Sequence, residues 1–265
     1  MHSHETHLQG FPNLIQAIIV LPFLISLVIY IVAVIYSNRY KKRWSHFRTI
    51  SWILGHICAI ATLIGPFAEL AHINFAAHMI AHLLFGMLAP LLIALAAPMT
   101  LLVRSIPVKM ARRISCVLKN RYLTLVRNPI IASIFNIGGL WLLYTTPLFY
   151  MMHESLLLYI LIHVHIFLAG YLFTIAFIYI DPTPHPLSYI FRSIVLLIAL
   201  AAHSILAKYI YAYPPNHVSP IQAEMGAKIM YYGGDVIEIG LVYLLFYQWY
   251  KSTRGSNLAK SIPAK

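Results

Sequence analysis

Charged side chains are scarce in this sequence: they make up 10% of its 265 residues, and only 7 of them are acidic. Soluble domains typically carry about 25% charged residues, so the composition excludes an ordinary soluble fold. No polar stretch is long enough to form a separate soluble domain. What is present instead is apolar sequence, which accounts for 60% of the chain and a mean hydropathy of +0.77. These values predict a polytopic membrane protein.

Cysteine is almost absent. Cys58 and Cys116 are far apart and form no CxxC pair, which argues against a disulfide and against a thiolate metal site. The first residues, from Met1 to His7, also lack the basic stretch of a signal peptide. Because the apolar run that follows is long enough to cross a membrane, we expect it to be retained as a span.

Seven apolar segments reach the roughly 20 residues that a helix needs to cross the hydrocarbon core. They lie at about residues 13–37, 49–70, 77–103, 129–151, 156–180, 189–211 and 228–250. We therefore predict an all-α fold with seven transmembrane helices in a membrane domain at 13–250, preceded by a His-rich tip at 1–12 and followed by a basic tail at 251–265. Pro90 and Pro98 predict a bent or locally unwound third helix.

The basic residues indicate the orientation of the chain. Of the 19 Lys and Arg residues, all but Lys208 and Lys228 fall on alternate loops. The positive-inside rule then places the N-terminus, with the His-rich tip, outside and the basic C-terminal tail in the cytoplasm. The net charge of +12 thus reflects topology, and we expect no nucleic-acid partner.

Histidine is abundant, with 14 copies, and all but His46, His56 and His185 fall on the predicted outer side. An ionisable residue within a span is costly and marks a candidate functional site. His78 and His82 are four residues apart, so on a helix both imidazoles lie on one face, one turn apart. That spacing allows the pair to bind a single metal ion.

Three further helices carry metal-capable side chains at a similar depth. With a rise of 1.5 Å per residue, His82, His163, His203 and Asp235 all lie about 9–12 Å below the predicted outer surface. His165 is two residues from His163, so their side chains diverge by about 200°. We expect one of the two to face the site and the other to face a neighbouring helix. The candidate metal-binding residues are His78, His82, His163, His165, His203 and Asp235.

The residues alone leave the function open. Imidazoles without thiolates favour copper or zinc, and the thioethers of Met151 and Met152 suit Cu(I). Facing histidines also hold b-type haem. Against haem, an i, i+4 pair converges on one point and does not flank a flat macrocycle. A proton-coupled metal transporter would use His203, Asp235 and Glu238 as a relay. A purely structural role for these histidines, as hydrogen-bonding groups between helices, is the remaining alternative.

Two blocks of sequence resemble a known family. The block His78-Met79-Ile80-Ala81-His82, with Ala89-Pro90 and Ala97-Pro98 after it, and the block Asp181-Pro182-Thr183-Pro184 resemble signatures of the bacterial CtaG membrane family. Members of that family are assembly factors for cytochrome c oxidase. The resemblance extends over about residues 65–245 and takes in His163-Val164-His165 and His203.

The resemblance implies a copper ion, bound on the outer side and used to load a copper centre of a haem-copper oxidase. The positions that match are His78, His82, His163, His165 and His203. The expected partners are oxidase subunits within the lipid bilayer, with a copper donor protein and a homodimer as further candidates. We expect a multi-pass protein of the bacterial plasma membrane that acts as a chaperone and is not an enzyme.

Overall fold

The computed structural model describes residues 13–118, 120–183 and 186–260. The predicted N-terminal tip, the end of the predicted tail and His185 lie outside these residues. The described chain is helical and contains no strand. Its helices are α1 (Asn13–Tyr40), α2 (His46–Leu63), α3 (Pro66–Ile73), α4 (Phe75–Leu95), α5 (Pro98–Ser105), α6 (Val108–Leu118), α7 (Arg121–Val126), α8 (Pro129–Thr145), α9 (Leu148–Glu154), α10 (Leu156–Phe177), α11 (Tyr189–Ala212) and α12 (Pro220–Lys260).

Five of the described helices, α1, α4, α10, α11 and α12, are each long and apolar enough to cross a membrane. Two bent pairs add to them: α2 and α3 meet at 54°, and α8 and α9 meet at 80°. If each bent pair is one span, the total is the predicted seven. The prediction of an all-α polytopic membrane protein is thus confirmed.

The two bends lie at one end of the bundle. Gly65, between α2 and α3, has a φ of 82°, a left-handed conformation that glycine adopts without a steric penalty. The short helix α3 then packs against α4, and α9 packs against α10. The rings of His72 on α3 and His153 on α9 are 5.8 Å apart between centroids. We call this end the histidine-rich end.

The opposite end gathers basic residues and is called the basic end. The guanidinium of Arg104 at the end of α5 donates to the carbonyl of Lys42 in the α1–α2 loop. Nearby, the carboxylate of Asp181 accepts from the backbone N–H groups of Met99 (3.2 Å) and Thr100 (2.7 Å). A carboxylate at a helix N-terminus satisfies free N–H groups and complements the helix dipole. The Asp-Pro motif therefore caps α5.

Both prolines of the third predicted span mark distortions, as predicted. A π-helical turn at Leu83–Leu88 precedes Pro90. Proline has no N–H to donate, and its ring crowds the preceding turn of the helix. The wider π-turn accommodates both effects. The chain leaves the helix at Ala97, whose φ is 52°, and α5 begins at Pro98. The predicted span at 77–103 is therefore two helices, because the backbone breaks before the second proline.

At the π-turn, α4 and α10 cross at close range. A Cβ on Gly170 of α10 would lie 2.0 Å from the carbonyl oxygen of Gly86, far inside contact distance. Only glycine at position 170 lets α10 approach the backbone of α4 this closely. The crossing sets how closely α4 and α10, which both carry predicted metal ligands, can pack.

Candidate metal centre

A small cavity lies at the histidine-rich end, between α3, α4, α9 and α10. Its volume is about 30 Å³, which is room for an ion or about one water molecule. Five histidines are among the residues that line it: His72, His78, His82, His153 and His163. Three of these were predicted as metal ligands from the sequence, whereas His72 and His153 were not.

His82 is the most enclosed of the five and is only 6% exposed. Within the described part of the chain, neither its Nδ1 nor its Nε2 has a hydrogen-bond partner. Leaving a buried polar group unpaired costs about 1–3 kcal/mol, and such groups are rare in native structures. The nitrogens of His82 are therefore placed to bind a ligand.

His203 approaches His82 from α11, with 6.2 Å between the ring centroids. Two imidazoles bound to one ion have centroids about 5–6.5 Å apart, because each metal–nitrogen bond is about 2.1 Å long. The Nε2 of His203 is also buried and has no partner among the described residues. This pair can share an ion.

A carboxylate supports His203 from the other side. The Nδ1 of His203 lies 2.7 Å from Oε1 of Glu238, and both residues are buried. With Nδ1–H donating to the carboxylate, Nε2 keeps the lone pair that a metal requires. This carboxylate–histidine arrangement is the usual support of a metal-binding histidine. A Cβ on Gly234 would lie 2.7 Å from Cε1 of His203, so the ring fits only beside glycine.

Backbone carbonyls fix the tautomers of two more histidines. Nδ1 of His163 lies 2.8 Å from the carbonyl oxygen of Tyr159, and Nδ1 of His153 lies 2.9 Å from that of Phe149. A carbonyl oxygen only accepts, so each Nδ1 is the donor. In their neutral forms, both rings keep the Nε2 lone pair for a ligand.

His78 is placed differently. Its Nε2 lies 3.1 Å from the hydroxyl of Tyr144 on α8, and its ring is 6.4 Å from that of His153. The i, i+4 relation with His82 places both histidines on the same cavity, as their spacing predicts.

Three predicted ligands are not among the residues that line this cavity: His203, which contacts Glu238, and His165 and Asp235. His165 is exposed, and its Nε2 lies 3.1 Å from the carbonyl oxygen of Phe135 on α8. It faces a neighbouring helix while His163 faces the cavity, which is the divergence expected from their spacing. Asp235 is half-buried and lies three residues before Glu238 on α12.

Sequence reasoning missed His72, His153 and Glu238 as members of the site. The two histidines belong to the predicted outer group, but nothing in the sequence indicates that α3 and α9 fold over the cavity. Glu238 entered only as a member of a proton relay. Among the residues that the structure describes, no three His, Cys, Asp or Glu side chains converge as a ready metal-binding group. The histidines instead come together in pairs.

The model of the family described as cytochrome c oxidase caa3 assembly factor (Caa3_CtaG) matches residues 28–252. The chain belongs to this family. The match covers all six predicted metal-binding positions and both ends of the bundle. No curated protein and no solved structure matches the chain significantly. The predicted resemblance to CtaG is confirmed. The role in oxidase assembly and the location as a multi-pass protein of a bacterial membrane are confirmed with it.

Proposed function

We propose that this CtaG-family protein binds a copper ion between His82 and His203 and helps to load a copper centre of cytochrome c oxidase. The observation that carries the proposal is the set of three buried nitrogens without partners among the described residues, two on His82 and one on His203. His78 and His163 line the cavity beside His82 and can contribute further ligands. The protein performs no reaction on the ion and is not an enzyme.

The surroundings favour copper over the alternatives. Met152, 1% exposed, lines the cavity beside the histidines, and a thioether favours Cu(I) over zinc. The histidine cavity has a volume of about 30 Å³, which admits an ion and is too small for a haem macrocycle. The paired arrangement also leaves a coordination shell incomplete, which suits an ion that must be passed on.

A groove between α1 and α10 supports sideways transfer to a membrane partner. It has a volume of about 610 Å³ and a largely apolar lining. Phe85 and His163 line both the groove and the histidine cavity. An oxidase subunit in this groove would thus be separated from the histidine cavity by one layer of side chains. In this proposal the histidine-rich end faces outward and the basic end faces the cytoplasm.

A second candidate, proton-coupled metal transport, is supported by one observation. His203 and Glu238 line a second cavity, of about 20 Å³, whose lining also includes Asn136 and Thr174. The pair also lies beside His82, which lines the histidine cavity, so it stands where a proton relay between the two cavities would stand. Copper flux into proteoliposomes that depends on a proton gradient would favour transport over assembly.

The test is the copper content of the purified protein and of its oxidase. We expect His82→Ala with His203→Ala to lose the copper ion held by this pair, so that the copper content falls, and to leave cells with a copper-deficient oxidase. His46→Ala, an exposed histidine at the basic end, is the matched control and should retain both. Unchanged copper in the double variant would overturn the proposal.

A further inference from the structure

His72 and His153 form a second histidine pair, at the mouth of the cavity. Their ring centroids are 5.8 Å apart, within the range of about 5–6.5 Å expected for two imidazoles on one ion. We propose that His72 and His153, together with Met152, form a second Cu(I) site that receives copper before the His82–His203 pair. This inference rests on the proposed function and adds an entry site to it.

The donor set of this entry site suits Cu(I). The Nδ1 of His153 is used by the carbonyl of Phe149, 2.9 Å away, so its Nε2 is the nitrogen left to bind. Met152, the residue before His153, lines the same cavity as His72. Imidazoles with a thioether are soft enough to hold Cu(I) while leaving the ion exchangeable.

The entry site stands apart from the inner pair, with His78 between the two. The ring of His78 is 6.4 Å from that of His153, and His78 shares its helix face with His82. The Nε2 of His78 is held by the hydroxyl of Tyr144. Copper moving inward would exchange one imidazole for the next, from His153 through His78 to His82, with no change in its oxidation state.

The fold explains why the entry site lies at the mouth. Its ligands sit on α3 and α9, the two short helices that bend by 54° and 80° away from the spans they follow. The inner pair sits instead on α4 and α11, which cross the membrane as long helices. The two sites are therefore carried by different elements, and either can be removed without altering the other's helices.

The test is a Cu(I) titration of the detergent-purified full chain against a chromogenic Cu(I) chelator, under anaerobic reducing conditions. The background variant carries alanine at His2, His4 and His7, so that the N-terminal histidines contribute nothing. We expect this background to bind two ions. Adding His72→Gln with His153→Gln, or His82→Gln with His203→Gln, should leave one ion in each case. His217→Asn, an exposed histidine with φ of 65°, should leave two.

The outcomes separate the two proposals. A background protein that binds one ion, which the His82/His203 variant loses, overturns the entry site and leaves the proposed function standing. A background protein that binds none overturns both. X-ray absorption of the His82/His203 variant gives an independent reading that does not depend on counting ions. We expect a copper–sulfur contribution that Met152→Leu removes, and its absence would overturn the assignment of Met152.

Discussion

His203 and Glu238 form a buried histidine–carboxylate contact, with 2.7 Å between Nδ1 and Oε1. Both side chains are almost fully enclosed, at 2% and 6% exposure. The contact joins α11 to α12 beside the unpaired nitrogens of His82. It leaves Nε2 as the nitrogen of His203 that can bind a metal ion, because a ring that donates through Nδ1 carries its lone pair on Nε2.

Glu238→Gln tests this support. The amide cannot stabilise the metal-bound imidazole as a carboxylate does, so we expect copper affinity to fall by about 10–100-fold, the usual effect of losing such a partner. Asp235→Asn is the matched control, because it changes the neighbouring acid on the same helix. Competition titration with a Cu(I) chelator measures both. Equal losses of copper affinity in the two variants would show that the negative charge on α12 is what matters and that this contact is not.

The two histidines of α10 should behave differently. His163→Ala removes a side chain that lines the cavity, so we expect weaker copper binding. His165→Ala removes an exposed ring that contacts the Phe135 carbonyl, so copper affinity should stay within about twofold, a free-energy change below about 0.5 kcal/mol. The same chelator titration compares them. A larger loss for His165→Ala would assign the ligand role to the other residue of the pair.

Gly170→Ala should destabilise the bundle. Its Cβ would lie 2.0 Å from the Gly86 carbonyl oxygen, so the helices must separate, at a cost of about 1–3 kcal/mol. Gly240→Ala on α12 is the control, since a Cβ there meets nothing within 4 Å and alanine is the better helix former. Thermal unfolding in detergent should show a lower midpoint for Gly170→Ala and an equal or higher one for Gly240→Ala. Similar midpoints for the two would contradict the close crossing.

The orientation can be tested with Cys116, which is exposed on α6 at the basic end. In a Cys58→Ala background, a membrane-impermeant maleimide should label Cys116 only after the cells are opened. In a variant that also carries Cys116→Ser, a cysteine introduced by Asn216→Cys at the histidine-rich end should be labelled in intact cells. The reverse pattern would place the histidine-rich end in the cytoplasm.

Much of the site could be predicted because its signals are local. The i, i+4 spacing placed His78 and His82 on one helix face, and the spacing of two separated His163 from His165. Partners across helices could not be predicted in the same way. Asp235 and Glu238 are one turn apart on α12, and only the packing of α12 against α11 places Glu238 rather than Asp235 on His203.

The amino-acid sequence by itself determined the class of this protein, since scarce charge and long apolar runs leave membrane helices as the stable structure. It also carried the motifs of the CtaG family. The tertiary structure decided which histidines meet. The bends at Gly65 and before α9 bring His72 and His153 over the cavity, and Gly170 sets the distance between α4 and α10. Such contacts depend on how distant segments pack, which spacing along one helix does not specify.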